Sequence, residues 1–155
     1  MKFAKTKEVL NQLVADLSQG AAAIHQIHWY MRGAGFLTLH PKMDDYMDEL
    51  NDVLDEVSER LITLDGAPYS TLEEYIKHTG IKSVEASYNK SMEENVGRVL
   101  DIFRYLNSVY DKGIAASAEE GDDVTNDILI AAKTSTEKNI WMLAAALNKA
   151  PELDK

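Results

Sequence analysis

Apolar residues recur along this chain at intervals of three and four, the spacing that places side chains on one face of an α-helix. The pattern predicts four long amphipathic helices: residues 6–31, 39–64, 84–119, and a stretch that follows Gly121 to Asp123 and ends before Pro151. Thr71 and Glu74 form a capping-box pattern that opens a short additional helix, which Gly80 ends. Since no strand pattern, repeat or linker interrupts this series, the sequence predicts a single all-α domain over residues 1–155.

The second helix is expected to begin near His40, because Pro41 is tolerated in a first turn, where its missing N–H leaves no bond unmade. A long connection, residues 64–84, separates it from the third helix, whereas short loops join the other long helices. Two antiparallel pairs and one crossover define a four-helix bundle with a short extra helix in the long connection. We expect Trp29, Trp141 and the tyrosines in its core.

Composition narrows the classes of function. The chain carries 26 acidic and 16 basic residues, and its formal net charge of -10 repels phosphate backbones and attracts cations. The absence of cysteine excludes disulfides, zinc ribbons, iron–sulfur clusters and thiol nucleophiles, and leaves imidazole and carboxylate as metal ligands. The start contains no apolar signal core, and the longest apolar run, residues 140–147, is too short to span a bilayer. We expect a soluble cytoplasmic protein without a membrane partner.

Two histidines and three carboxylates form the most informative pattern in the chain. They are His28, His40, Asp44, Asp55 and Glu59. His40 and Asp44, and likewise Asp55 and Glu59, are four residues apart, so each pair lies on one helix face. Asp44 and Asp55 are nevertheless roughly 16 Å apart along a helix axis, whereas metal–ligand bonds measure about 2.0–2.6 Å. One helix therefore cannot close a metal site by itself.

Each of these residues also has a simpler interpretation. The second helix is acidic along its length, so any one of its carboxylates is compatible with a solvated face. His25 and His28, three residues apart on an apolar face, are compatible with core histidines or a surface pair. The metal site is favoured because the helix that carries His25 and His28 is followed directly by the helix that carries His40 and the carboxylates.

A di-iron bundle of the ferritin type takes Glu-x-x-His from two of its helices, and this chain contains no Glu-x-x-His. A centre inside one bundle is therefore not expected. If two copies pack their second helices antiparallel about a two-fold axis, each of two sites receives ligands from both chains. One chain supplies His28, His40 and Asp44, and its partner supplies Asp55 and Glu59.

Two imidazoles and three carboxylates suit Fe(II), with Mn(II) or Zn(II) as possible substitutes. We prefer iron, because hard oxygen ligands stabilise Fe(III) after electron transfer to peroxide or dioxygen. Asp48 and Asp52, on the same helix, are candidates for nucleating an Fe(III) mineral, although a solvated face explains them equally well.

The pattern resembles a known family. His28-Trp29, followed by His40, Asp44, Asp55 and Glu59 at intervals of twelve, four, eleven and four, resembles the ferroxidase signature of the Dps family of mini-ferritins. The resemblance extends over nearly the whole chain, including the crossover helix and residues 121–127. The resemblance implies a ferritin-like hollow shell of twelve chains, a dodecamer built from two-fold dimers. It also implies that the shell oxidises Fe(II), with hydrogen peroxide as the favoured oxidant, stores ferric oxyhydroxide and protects against oxidative stress.

The resemblance also implies roles outside the centre. Aspartates near the start of the last helix line the family's pores at three-fold axes, and Asp127, with Asp122 less directly, matches them. Asp122 and Asp123 are equally explained as helix-capping residues. Trp29 and Trp141 resemble the tryptophans that lie near the family's centre and take up stray oxidising equivalents. The resemblance assigns no role to His25.

The family name refers to DNA, so a nucleoid-associated protein that protects DNA by direct binding is the alternative function. Members that bind DNA commonly use basic tails, but this chain offers only Lys2, Lys5 and Lys7 before its first helix and ends in Pro-Glu-Leu-Asp-Lys. With few cations to release phosphate counterions, we expect direct DNA binding to be weak. A helical interaction protein without any chemistry is a third interpretation.

Overall fold

The computed structural model describes residues 1–154, and within that range it contains five α-helices and no strand. The helices are α1 Ala4–Tyr30, α2 Phe36–Thr63, α3 Leu72–His78, α4 Met92–Glu120 and α5 Asp123–Ala146. This confirms the predicted all-α bundle with a short helix in the long connection. None of the helices in residues 1–154 has the length and hydropathy needed to cross a membrane.

The four long helices enclose one hydrophobic core. α1 packs most extensively against α2 and α4, α4 packs against α5, and the short α3 lies on α1. Large apolar side chains from every long helix are buried, with Leu13, Met43, Phe103 and Leu129 almost completely inaccessible. Because burying each such side chain contributes about 1.5–3 kcal/mol, this core fixes the register of α1 against α2, and with it the geometry at their junction.

α2 begins one turn earlier than the sequence predicted. Gly35 has a φ of 84°, a left-handed conformation that glycine adopts without strain, and the helix starts at Phe36. Pro41 therefore lies inside the helix, where it has no N–H to donate to the carbonyl of Leu37. The prediction of a start near His40 was wrong, and the structure places His40 in the second turn.

α4 begins later than the sequence predicted. Ser91 and Glu94 form a capping box that starts the helix at Met92, and residues 84–91 are not helical. The apolar residue that suggested an earlier start, Tyr88, is exposed and lies against Tyr30, with ring centroids 4.8 Å apart. The prediction of a helix from Val84 was therefore wrong.

A buried carboxylate fastens the end of the crossover to the bundle. Asp16 is fully buried and accepts hydrogen bonds from Gln12 Nε2, Thr79 Oγ1, Gly80 N and Tyr105 Oη at 2.8–3.1 Å. Burial, together with the charge and hydrogen bond of Asp16, raises the pKa of Tyr105 to about 12. Because four donors satisfy the carboxylate, the segment that follows α3 is held against α1 and α4.

The tryptophans are not core residues, contrary to expectation. Trp29 is 61% exposed and Trp141 is 53% exposed. The tyrosines divide: Tyr46 and Tyr110 are buried as expected, whereas Tyr88 is exposed. An exposed indole carries a large apolar area without a partner in the single chain, which is typical of a surface that meets another molecule.

Candidate metal centre

Two histidines join the last turn of α1 to the second turn of α2. His28 Nδ1 lies 2.7 Å from the carbonyl oxygen of His40, and His40 Nδ1 lies 2.9 Å from the carbonyl oxygen of His28. The two imidazole rings stack, with centroids 3.6 Å apart and planes 14° apart. The His28 carbonyl is free to accept because α1 ends two residues later, so no N–H of the helix reaches it.

These reciprocal hydrogen bonds determine which ring nitrogen can bind a metal. A carbonyl oxygen only accepts, so each Nδ1 must carry a hydrogen. In the neutral imidazole the proton-free nitrogen is then Nε2, which is a metal ligand. Histidines that bind metals almost always donate their other ring N–H to a carbonyl or carboxylate, which orients the ring. His28 and His40 therefore have the tautomer and the support that metal ligands need.

Asp44 lies one helical turn after His40 and faces His28. Its Oδ1 is 3.6 Å from His28 Nε2, which is too long for a hydrogen bond. Two ligand atoms that bind one ion at about 2.0–2.2 Å are roughly 3–4 Å apart, so this separation suits a shared cation. The His28 side chain is 11% exposed, whereas that of Asp44 is 59% exposed. This half-site, His28, His40 and Asp44, is thus open on its carboxylate side.

Asp55 and Glu59 form a second set on the same helix. Both are exposed, and neither carboxylate has a hydrogen bond or ion pair within residues 1–154. The helical rise separates Asp55 from Asp44 by roughly 16 Å. Across the described part of the chain, no group of three or more metal-ligating side chains is arranged to hold an ion. The two sets therefore stay apart in the single chain, and His28, His40 and Asp44 by themselves do not form a complete ion site within residues 1–154.

Aromatic side chains lie beside the histidine half-site. The His25 ring lies 4.0 Å from the Trp29 ring and 6.0 Å from the His28 ring, measured between centroids. His25 thus lies between the exposed indole and the ring of His28. Trp141 lies on α5 and is also exposed.

An acidic groove runs between α2 and α5. Asp48 and Asp52 line it, as do three further carboxylates, in a cavity of about 440 Å³ with small residues of α5 on the opposite side. The additional carboxylates are Asp45, Glu49 and Glu56. From the sequence, only Asp48 and Asp52 are candidates for mineral nucleation. All five carboxylates lie on one face of α2, because they recur at spacings of three and four residues.

Asp122 and Asp127 lie in different environments. Asp122 is 3% exposed, caps α5 by accepting from Thr125, and accepts from Arg60 Nη2 at 2.8 Å. Burial alone would raise the pKa of Asp122, but the hydrogen bonds from Thr125 and Arg60 outweigh it and lower that pKa. Asp127 is exposed and its carboxylate has no bonded partner within residues 1–154. Sequence reasoning missed Arg60, which binds the start of α5 to the end of α2.

Comparisons with known proteins show the family and the fold. A model of the ferritin-like domain matches residues 7–153. The DNA protection during starvation protein of Streptococcus suis strain P1/7 is 56% identical over 151 residues, which cover 97% of this chain and 88% of that protein. Dps from Listeria innocua soaked with cobalt has a TM-score of 0.93 at 45% identity, covering 97% and 99% of the two chains. The same protein soaked with 10 mM zinc has a TM-score of 0.88 at 47% identity, covering 94% and 98%.

The fold and the matched domain define a ferritin-like protein. Identity and structural likeness extend over nearly the full length of the chain, including the crossover helix. The chain therefore belongs to the Dps family, as its sequence pattern suggested. The family is associated in general with iron oxidation and storage.

Proposed function

We propose that this protein is a ferroxidase that oxidises Fe(II) at sites shared between two chains and stores Fe(III) mineral in a hollow cage. One observation carries the proposal: the reciprocal Nδ1–H to carbonyl bonds of His28 and His40, which leave Nε2 as the ligand atom of each neutral ring, with His28 Nε2 3.6 Å from Asp44 Oδ1. A hydrogen bond from the second ring nitrogen to a carbonyl is typical of histidines that bind metals.

The second set of ligands comes from a partner chain. Asp55 and Glu59 are exposed, unpaired and too distant from Asp44 to share an ion with it in one chain. Antiparallel packing of two α2 helices about a two-fold axis brings the partner subunit's Asp55 and Glu59 to His28, His40 and Asp44. The same operation creates a second, identical site. The cage has twelve chains, arranged as six such dimers, in line with the general assembly of the family.

Iron is the substrate of this site. Two Fe(II) ions together give two electrons to hydrogen peroxide, its O–O bond breaks, and the two oxygens leave as hydroxide or, after protonation, as water. Dioxygen is the alternative electron acceptor. The three carboxylates stabilise Fe(III) more than Fe(II), because the added positive charge interacts with their negative charges, and this favours oxidation. Zinc and manganese are possible substitutes at the same ligands, and zinc, which has no redox chemistry, would bind without being oxidised.

Residues outside the centre complete the path of the iron. The exposed carboxylate of Asp127 is placed to attract cations at a pore, whereas Asp122 is occupied with capping α5 and binding Arg60. The acidic groove between α2 and α5, which contains Asp48 and Asp52, is the proposed place of mineral nucleation. Trp29, beside His25, can give up an electron to stray oxidants, and Trp141 has the same proposed role.

Protection of DNA follows from removal of iron and peroxide in the cytoplasm, not from direct binding. The net charge is -10, and Lys5, one of three lysines near the N-terminus, is paired with Glu119 at 2.5 Å. Few cations remain to release phosphate counterions. A gel shift of duplex DNA at physiological salt, without added divalent metal, tests this point, and clear retardation would contradict it.

Ferroxidase activity is tested by mixing the assembled protein with Fe(II) under anaerobic conditions, adding peroxide, and following Fe(III) by absorbance. We expect oxidation much faster than in buffer, and loss of the acceleration in the His28→Ala/His40→Ala variant. His78→Ala is the matched control, because His78 stacks on Tyr69 far from the proposed ligands in the chain. A wild-type rate equal to that of buffer would refute the proposal.

A further inference from the structure

A cavity of about 190 Å³ lies between the end of α1, the non-helical segment 84–90 and the start of α4. It contains none of the proposed iron ligands. Its walls are mainly apolar and include Ile27, Tyr30, Val84 and Ala86. An apolar cavity of this size accepts a small ring or a short aliphatic chain, since a cavity of about 150 Å³ holds benzene.

A guanidinium without a carboxylate partner lines this cavity. Arg98 Nη1 donates to Gln26 Oε1 at 2.5 Å, and Arg98 forms no ion pair within residues 1–154. Gln26 Nε2 donates in turn to the Val84 carbonyl at 2.8 Å, which fixes the amide that holds the guanidinium. Burial lowers the pKa of Arg98. Although the chain has 26 acidic residues, this partly buried arginine pairs with none of them within residues 1–154, and Gln26 is the one acceptor in that range for its five donors. Arg98 also lines two neighbouring cavities, so its donors are shared among the three.

A buried amide lies next to it. Asn95 also lines the cavity, is 7% exposed, and its Nδ2 has no acceptor within the described residues. Asn95 and Arg98 are three residues apart on α4 and share one face. Since the terminal torsion of asparagine is broad, the amide can turn its NH₂ towards the cavity without moving its carbon atoms. Two donor groups of neighbouring residues are thus available at one wall.

The other charged groups of the cavity set the charge of the ligand. Glu94 Oε2 accepts from Ser91 N at the start of α4, so this carboxylate is already engaged. Lys90 and Glu85 are exposed and have no ion pair within residues 1–154. Glu85 offsets Lys90 and disfavours ligands of high negative charge. Glu94 keeps its negative charge while it accepts the hydrogen bond from Ser91, so Glu85 and Glu94 together balance Lys90 and Arg98. The lining therefore carries no net charge, and Arg98, which is partly buried and has no carboxylate partner within residues 1–154, is the point at which a single negative charge would bind.

We propose that this cavity binds a small organic monocarboxylate, with its carboxylate on Arg98 and Asn95 and its apolar body against Ile27 and Tyr30. The planar guanidinium matches a carboxylate with two parallel hydrogen bonds. Apolar walls favour an organic anion over an inorganic one, which would leave most of its oxygens without donors.

Titration calorimetry on the assembled protein tests the proposal with benzoate as the probe. We expect saturable binding of one benzoate per chain in the millimolar range or tighter, and at least tenfold weaker binding of benzamide, which has the same shape without the charge. The absence of saturable heat for benzoate would overturn the proposal. Binding of inorganic phosphate as tight as that of benzoate would overturn the assignment to organic carboxylates.

Three variants locate the site. Arg98→Gln should weaken benzoate binding at least tenfold, whereas Arg104→Gln, which removes a guanidinium that binds the Pro151 carbonyl from the same helix, should not change it. Ala86→Phe fills the cavity from the non-helical segment without altering charge and should abolish binding. Each variant is first shown by its native mass and circular dichroism to assemble and fold. Unchanged affinity in folded Arg98→Gln and Ala86→Phe would place the bound benzoate elsewhere and contradict the proposal.

Discussion

The stacked histidine pair makes a quantitative prediction for the stability of the metal-free protein. His28→Ala and His40→Ala each remove one Nδ1–H to carbonyl bond, with a net contribution of about 0.5–1.5 kcal/mol, and both remove the same ring contact. Stacked aromatic pairs add about 0.5–1.5 kcal/mol. Each single variant should therefore lose about 1–3 kcal/mol.

The double variant separates these contributions. It loses both hydrogen bonds but the ring contact only once, so its destabilisation should fall short of the sum of the single effects. The expected coupling is the energy of the ring contact, about 0.5–1.5 kcal/mol. This is measurable against a total stability of about 5–15 kcal/mol for a domain.

Urea unfolding in the presence of a chelator measures the four free energies of this cycle. The chain concentration is kept constant, because assembly contributes to apparent stability. His78→Ala, combined with each variant, is the control and should give additive effects. Strictly additive losses for His28→Ala and His40→Ala would mean that the rings do not stack in solution, and the argument for fixed tautomers would fail with that contact.

Three further predictions concern aspartates outside the centre. Asp127→Asn should slow iron uptake about tenfold at low ionic strength, because it removes the field that attracts cations, and should leave assembly intact; unchanged uptake in stopped-flow traces would remove the pore assignment. The pKa of the Asp122 carboxyl group is lowered in the folded chain, so as the pH falls this group binds its proton in the unfolded chain before it does so in the folded chain. The difference in free energy of unfolding between wild type and Asp122→Asn should have its full size above pH 3.8, the ordinary pKa of the carboxyl group, and should decrease below that pH. A difference in unfolding midpoint that does not change with pH would contradict this. Asp16→Ala removes the acceptor of four partly buried hydrogen bonds and should cost about 3–5 kcal/mol, seen as a lower unfolding midpoint, whereas a loss under about 1 kcal/mol would show that the crossover is held otherwise.

The helices, and the separation of the two candidate ligand sets within one chain, could be predicted from the sequence, because both depend on local geometry. The spacing of apolar residues identified every long helix, and the fixed rise per residue showed that Asp44 and Asp55 cannot bind one ion in one chain. The errors at helix starts have a local cause. Tyr88 continues the apolar spacing before the start of α4, whereas Ser91 and Glu94 carry the capping-box pattern that starts the helix at Met92.

Other features depend on tertiary contacts that no local pattern encodes. The bond from His40 to the His28 carbonyl needs both helices in register, so the tautomers could not be read from the sequence. Trp29 is expected in the core because indoles are usually buried, yet it is exposed in the single chain. A single sequence does not distinguish a residue of the core from an apolar residue of an interface between chains. Asp16 on an apolar face gave no sign of the four donors that surround it.

The shared site is the central claim, and co-assembly of two inactive variants tests it most directly. An Asp55→Ala/Glu59→Ala chain keeps the histidine half-site, and a His28→Ala/His40→Ala chain keeps the carboxylate pair. Neither alone should accelerate iron oxidation. With equal amounts and random pairing, half of the dimers are mixed and each mixed dimer has one intact site, so about one quarter of wild-type activity should return. No recovery in assemblies shown by native mass to be mixed would contradict a site built from two chains.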